Sequence, residues 1–394
     1  MTSFVFMKIG FLLPTIFASK SVYPGRIFAP LSLAVDTVDG LRKNGHEVTV
    51  FSVPDFPAGE PVITANFEYF KNNTPIHKLR NELLIDRKVR TDEVLKRNFE
   101  LAVTCKAYEF AQAQKIDIIH SYHDFVFISH YFQDLFKTKT VYTIHDPLPP
   151  EGVFEYLEYT KFASHNYISI SNFQRQSKLK LNFADTIYHG VNLSDFEFSD
   201  KSSDYLLFMG RLVPEKGLHH AIATALSTNM QLEIGTQFPD HNHEDVYFTS
   251  QIKPYLDNPL IGEPGMVSGK DKVLLYKQAQ ALLFPIGWEE PFGMVMIEAL
   301  ACGTPVIAFN RGSVAEVIQD GVTGFIIDPD NNDRSGKGKW IIKKQGVEGL
   351  VEAVKRIGEI DRNVCRKYVE DHFTVDLMVK KYEKTYKQIL NSKL

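Results

Sequence analysis

Short apolar runs of β character recur along this chain, each followed by a longer segment of mixed polarity, and no other feature narrows its fold as much. A strand apolar on both faces must be covered on both. Strands that follow one another in the same direction need a long return, so the pattern calls for parallel sheets with helices on either side. A first series falls at residues 5–13, 48–53, 116–120, 140–144, 167–170 and 186–188. A second begins at 205–209 and continues through 232–234, 282–284, 306–308 and 325–327. Between them lies the polar, aperiodic stretch 192–204, the expected interdomain linker. A length of 394 residues suits two or three domain-sized units. Two open parallel sheets would bring their strand carboxyl ends within reach of one another and form a cleft.

Helices are expected between the strands, notably over 31–44, closed by Gly45. The charged stretch 78–114 is long for one globular helix, and a break is expected near Arg90 and Thr91. Residues 331–339 read as a surface loop or hairpin. The segment 374–390 sets Leu377, Val379, Tyr382, Tyr386 and Ile389 among lysines. It reads first as a terminal amphipathic helix packed on the protein, with peripheral membrane contact as the lesser reading.

The apolar stretch 4–18 resembles the middle of a signal peptide, but Lys8 lies inside it and Pro14 near its centre, so a buried first strand is the better reading. No later run reaches the roughly 18 apolar residues of a membrane span. Lys plus Arg number 44 against 48 Asp plus Glu, a net charge of -4 without a basic stripe, which excludes a long nucleic-acid footprint. An anionic ligand must be met by a few placed groups. The three cysteines, Cys105, Cys302 and Cys365, stand far apart without a CxxC pair, so a disulfide framework and a thiolate zinc site find no support. A reducing, cytoplasmic setting is expected; oligomeric state is left open.

Two clusters carry chemistry. In Phe208-Met-Gly-Arg-Leu-Val-Pro-Glu-Lys-Gly217 a strand runs into a loop. There Gly210 would allow a tight exit, and Arg211 and Lys216 could approach one anion. Two solvated cations in a turn would look the same. Neither G-x-x-x-x-G-K-[ST] nor a well-placed G-x-G-x-x-G occurs, which argues against a nucleotide triphosphatase and a dinucleotide oxidoreductase. The second cluster is Phe284-Pro-Ile-Gly-Trp-Glu-Glu-Pro-Phe-Gly-Met-Val-Met-Ile-Glu-Ala-Leu-Ala-Cys-Gly-Thr-Pro-Val-Ile307. Its loop at 285–293 should lead into a helix over about 292–301, whose first amides near Phe292–Met294 point at any phosphate or sugar oxygen placed there. Glu290 stands at the loop mouth. Glu298 falls inside an apolar helix, where burial demands a donor; ribose hydroxyls or a local side chain would serve.

Glu290 and Glu298, with seven residues between them and Ala-Leu-Ala-Cys-Gly-Thr-Pro-Val-Ile behind, resemble the E-x7-E signature of the family 4 glycosyltransferases, retaining enzymes of the GT-B fold. Met209-Gly-Arg-Leu, Glu215-Lys-Gly, His189-Gly-Val-Asn and Asp320-Gly-Val-Thr-Gly-Phe-Ile-Ile-Asp-Pro329 fall in that family's order. The resemblance implies an α/β protein of two Rossmann-like domains whose parallel sheets face a central cleft. Residues 1–195 would form the acceptor domain, completed by the 375–394 helix, and 196–374 the nucleotide-sugar donor domain. The linker near 190–204 and the region near 370–376 would form a paired hinge.

The implied activity is transfer of a hexosyl group from an NDP-sugar, with a UDP, GDP or ADP carrier, to a hydroxyl on a saccharide, lipid or small metabolite. Configuration would be retained, without a permanent cofactor or metal. Arg211 and Lys216 would hold the diphosphate, Glu298 the ribose and Glu290 the transferred sugar. Amides of Phe292 and Gly293 would meet sugar or phosphate oxygens, while Gly210 would shape the loop. His123 matches a histidine that the family places near the sugar. His145 and Asp146 resemble a recurrent H-D pair, with a structural bond equally open. Where the family often has paired glycines this chain has Pro24-Gly25-Arg26, of which Gly25 can keep part of the phosphate-side role, and Asn192 stands where Asp is frequent. The alternatives are a nucleotide-sugar-binding protein with a disabled acceptor site and another NDP-sugar-processing enzyme.

Overall fold

The computed structural model describes residues 6–23, 28–73, 88–122, 127–238, 245–330 and 339–392. They fall into two compact units, the first Met1–Ile170, Arg175–Ile187 and Met378–Leu394, the second Ser171–Gln174 and Tyr188–Leu377.

In the first unit, β1 (Lys8–Leu12), α1 (Ala29–Lys43), β2 (Glu47–Phe51), β3 (Val62–Ile63), α2 (Phe67–Asn73), α3 (Lys88–Gln114), β4 (Ile118–Ser121), α4 (Ile128–Phe136), β5 (Thr140–Ile144), α5 (Phe154–Lys161), β6 (Asn166–Ser169) and β7 (Phe183–Thr186) follow one another. The sheet is parallel throughout, in the order β3-β2-β1-β4-β5-β6-β7, with the direction of winding reversing at β1 and β4. That is the doubly wound arrangement of a Rossmann-like domain. Ile9, Phe11 and Leu12 of β1 and Ile118 and Ile119 of β4 are sealed from solvent, as central strands require.

The helix α3 is continuous from Lys88 and passes straight through Arg90 and Thr91, against the break expected there. Phe99, Val103, Ala107, Tyr108 and Ala111 form one buried stripe along it, and packing of that stripe sustains a helix whose composition is otherwise unremarkable. Strand β7 comes earlier than the 186–188 expected. It is an edge strand with a register shift opposite Tyr167 and Ile168, paired on one side, so its own hydrophobicity marks it poorly.

The second unit holds β8 (Tyr205–Met209), α6 (Leu218–Thr228), β9 (Gln231–Gly235), β10 (Ile261–Gly262), α7 (Gly269–Gln278), β11 (Ala281–Phe284), α8 (Met294–Ala301), β12 (Val306–Phe309), α9 (Val314–Val317), β13 (Gly324–Ile327), α10 (Gly346–Arg356) and α11 (Arg362–His372). Its sheet, β10-β9-β8-β11-β12-β13, is again parallel. The stretch 192–204 is tied to this unit rather than free. Arg362 donates to the carbonyls of Ser199, Lys277 and Ala279, and Arg366 to those of Phe196 and Ala301.

A final helix, α12 (Val375–Asn391), leaves the second unit and from Met378 onward belongs to the first. Met378, Val379, Tyr382, Tyr386 and Ile389 are its buried stripe. The Tyr386 hydroxyl meets His120 Nδ1 at 2.7 Å, and Lys139 Nζ donates to the carbonyls of Ile389, Leu390 and Ser392. A lysine there satisfies end carbonyls that the helix itself leaves open. No described helix is long and apolar enough to cross a membrane.

Candidate active site

Within the second unit, β8 ends at Met209 and the chain turns through residues 210–217 into α6. Gly210 does not supply the tight exit: a Cβ there would meet only ordinary contacts, 3.5 Å or more away. Gly217 carries that demand, with φ +77 and a Cβ position that runs into the Pro285 carbonyl. This close approach and the Gly287 N–H bond to the Glu215 carbonyl, 2.8 Å, lay the loop against the segment that follows β11. As a result Lys216, closing a short 3-10 turn, reaches Glu290 across 74 positions of sequence, Nζ to Oε2 2.6 Å. The Trp288 indole N–H donates to the same oxygen at 3.0 Å, and its ring lies 4.9 Å from the Lys216 ammonium. Lys216 and Glu290 are 15% and 12% exposed, enough for a ligand to reach and little enough for their charges to act strongly.

Helix α8 starts behind Gly293, and the apolar run from Met296 to Ala301 is buried, with Glu298 in its midst at 8% exposure. Its donors are protein groups: Lys272 Nζ at 2.7 Å and the Tyr276 hydroxyl at 2.8 Å, both on Oε2. Lys272 and Tyr276 stand four apart on α7 and so share one face. Burial and the Glu298 carboxylate push the Tyr276 phenol well up, and burial, with the same carboxylate behind it, pushes the Cys302 thiol up to about 12. Both stay protonated, Tyr276 as a donor to Glu298.

Arg211 is exposed on the same loop as Lys216, without an ion pair to Glu215 among the described residues. The Phe292 ring is buried against His189 and Phe373, so only its backbone is available to a ligand. Gly25 and His123 lie outside the described residues, as do Pro24, Arg26 and most of the 331–339 loop. In the first unit His120 is a core residue, held between Thr143 Oγ1 and the Tyr386 hydroxyl at 2.7 Å each. His145 packs on Tyr122 with ring centroids 4.5 Å apart and is pushed down to about 4 by burial, while Asp146 is exposed.

Two family descriptions divide the chain: Glycosyltransferase Family 4 matches residues 32–195 and Glycosyl transferases group 1 matches residues 192–345. Both carry the same chemistry in their names, and together they run in order across the two Rossmann-like units. The chain is a GT-B glycosyltransferase. It is 25% identical over 352 residues to an uncharacterized glycosyltransferase, MJ1607, of Methanocaldococcus jannaschii, covering 79% of this chain and 84% of the relative. Among solved structures it is similar to AviGT4, a glycosyltransferase involved in avilamycin A biosynthesis, with TM-score 0.65, 19% identity, and 98% of this chain and 99% of that one covered. It is also similar to Anabaena Alr3699/HepE in complex with UDP-glucose, with TM-score 0.66, 17% identity, and 97% and 100% covered. At these identities the structural likeness is one of fold.

Four residues in and beside this glycosyltransferase's candidate site went unread in the sequence. Trp288 adjoins the glutamate pair and could have been suspected as an N–H donor. Lys272 and Tyr276 answer the demand of a buried Glu298, yet only packing selects them. Arg311 pairs with Glu289, Nη1 to Oε1 3.1 Å, and borders a cavity of about 710 Å³ that Gly287 and His220 also line but Lys216, Glu290 and Glu298 do not. Among the described residues no group of three or more His, Cys, Asp or Glu is arranged to hold a metal ion.

Proposed function

We propose that this glycosyltransferase moves a hexosyl group from an NDP-sugar to a hydroxyl of a saccharide, lipid or small metabolite, with retention of configuration. The observation that carries this reading is the meeting of Lys216 and Glu290 at 2.6 Å beside the start of α8, which joins a cation fit for a leaving diphosphate to a carboxylate fit for sugar hydroxyls. The UDP and UDP-glucose complexes of Alr3699/HepE support a nucleoside diphosphate sugar as the donor.

In this reading Lys216 and Arg211 receive the diphosphate, amides of Phe292 and Gly293 its oxygens or the sugar's, Glu298 the ribose and Glu290 the hexosyl ring. Gly217 shapes the loop on the phosphate side, Gly25 keeps part of the phosphate-side role, and His123 contacts the sugar. The acceptor oxygen attacks the anomeric carbon from the face that the diphosphate leaves. Its bond to carbon forms as the carbon–phosphate-oxygen bond breaks, and its proton passes to the departing diphosphate. Charge that grows on the diphosphate is met by fixed cations. The first unit, with the end of α12, takes the acceptor and the second the donor. Glu290 and Glu298 then serve one donor and are not the acid and base of a glycoside hydrolase.

A screen of UDP-, GDP- and ADP-hexoses against saccharide, lipid and metabolite acceptors, with NMR of the product, tests the reading. Retained anomeric configuration in a new glycoside is expected. An inverted product refutes same-face attack, and donor binding without turnover on any acceptor favours a nucleotide-sugar-binding protein.

A further inference from the structure

Glu290 lies on a loop that has no regular structure of its own, so something else must fix its backbone. The segment 310–313, at the carboxyl end of β12, does so at every step. Its base is anchored to the sheet by Asn310, whose N–H donates to the Ile327 carbonyl at 2.8 Å. Both oxygens of Glu289 are engaged by this segment: Oε1 accepts from Arg311 Nη1 at 3.1 Å and Oε2 from the Gly312 N–H at 2.6 Å. Gly312, at φ +58, lets the Glu290 backbone lie so close that a Cβ would collide with the Glu290 carbonyl oxygen. Next, the Ser313 N–H donates to that same Glu290 carbonyl at 3.0 Å, and Ser313 Oγ to the Phe292 carbonyl at 2.9 Å. Glu289, Glu290 and Phe292 are thus cast against one template, and Arg311 is its only charged side chain.

We propose that Arg311, through Glu289, is a positioning residue for the sugar-transfer step, setting the backbone from which Glu290 reaches the transferred hexose. The inference rests on the donor-site reading above and assigns that site's geometry to a residue outside it. Arg311 is 14% and Glu289 39% exposed. An ion pair this accessible contributes little to global stability, so its worth lies in orientation. A misplacement well under an ångström at Glu290 slows a step that depends on alignment without altering how a free nucleotide is held. Lys216 and Trp288 meet Glu290 at its carboxylate, whereas this segment meets its backbone.

The test uses the full chain as wild type, Arg311→Met, Glu289→Gln, Glu290→Gln and the double variant Arg311→Met/Glu290→Gln. Calorimetry with UDP, GDP, ADP and their glucose conjugates gives Kd values, and phosphorus NMR follows hydrolysis of the conjugate that binds. Arg311→Met and Glu289→Gln are expected to hold the free diphosphate within about threefold of wild type. They should lower kcat for donor hydrolysis by about 10- to 100-fold with donor KM little changed, and bring the ratio of free-diphosphate to conjugate Kd to that of Glu290→Gln. The double variant should be no slower than Glu290→Gln alone, because Arg311 acts through Glu290. Should Arg311→Met fail to fold, the near-isosteric Glu289→Gln carries the same comparison. If the wild type binds a ligand and both single variants keep its kcat and Kd ratio, or if the losses in the double variant simply add, the positioning role is overturned. A wild type that binds none of the six ligands overturns the donor-site reading itself, and the inference with it.

Discussion

Lys216→Ala removes the cation from a pair 2.6 Å long whose members are 15% and 12% exposed. At that separation and an effective dielectric of about 20 the gross attraction is on the order of 6 kcal/mol, most of it offset by the cost of taking both charges out of water. Among the described residues, loss of Lys216 leaves the Glu290 carboxylate with the Trp288 N–H. Breaking a fully buried pair costs about 3–5 kcal/mol; partial access of water here brings the expected loss to about 1–3 kcal/mol, a fall in Tm of roughly 2–10 °C for a unit of this size. Lys216→Met keeps the stem against Trp288 and separates packing from charge. Turnover should fall much further in relative terms, by roughly 10- to 1000-fold, since the transition state loses a group that meets the departing diphosphate. Circular dichroism establishes that the variants fold, and kcat/KM for the donor that binds reads the effect. Near-wild-type kcat/KM in a folded Lys216→Ala protein would remove this residue from the chemistry and return the pair to a structural tie between two loops.

Gly217→Ala, which drives a methyl into the Pro285 carbonyl at φ +77, should cost more stability than Lys216→Ala and reduce donor binding; an unchanged Tm contradicts the loop geometry. Burial holds His120, His130, His145, His165 and His220 below the ordinary histidine value, His145 and His220 at about 4. The unfolded chain therefore takes up protons first, and stability should be full above about pH 6.5 and decline toward pH 4, by up to about 3 kcal/mol for His145 alone. A Tm that stays level from pH 6.5 to 5 refutes this. Activity is expected to survive thorough chelation, and loss with EDTA restored by one divalent ion would overturn the metal-independent reading.

Much of the fold was legible because central parallel strands are apolar on both faces. Ile118–Ser121, Tyr205–Met209 and Val306–Phe309 differ little from the runs read in the sequence. The edges were not. Val62–Ile63 and Ile261–Gly262 are two residues each, too short for any period, and Phe183–Thr186 is only half buried. Helix α3 runs on through Arg90 and Thr91, where local charge suggests a break. At the site, Lys216 and Glu290 stood out by motif, whereas Lys272 and Tyr276 reach Glu298 from another helix and Arg311 reaches Glu289 from the next strand end. Sequence states that a buried carboxylate needs donors, but only folding selects which ones arrive.

The most direct measurement compares Glu290→Gln with Glu298→Gln, both folded, by calorimetry with the free nucleotide and by transfer from the intact donor. Glu298→Gln should weaken both nucleotide and donor binding, since its carboxylate serves the nucleoside. Glu290→Gln should leave the free-nucleotide Kd within a few-fold, toward tighter if anything because Lys216 is released from its 2.6 Å partner, and depress transfer far more. That asymmetry is the signature of two carboxylates serving different parts of one NDP-sugar. Equal loss of nucleotide binding in both variants, or transfer preserved in Glu290→Gln, would contradict it.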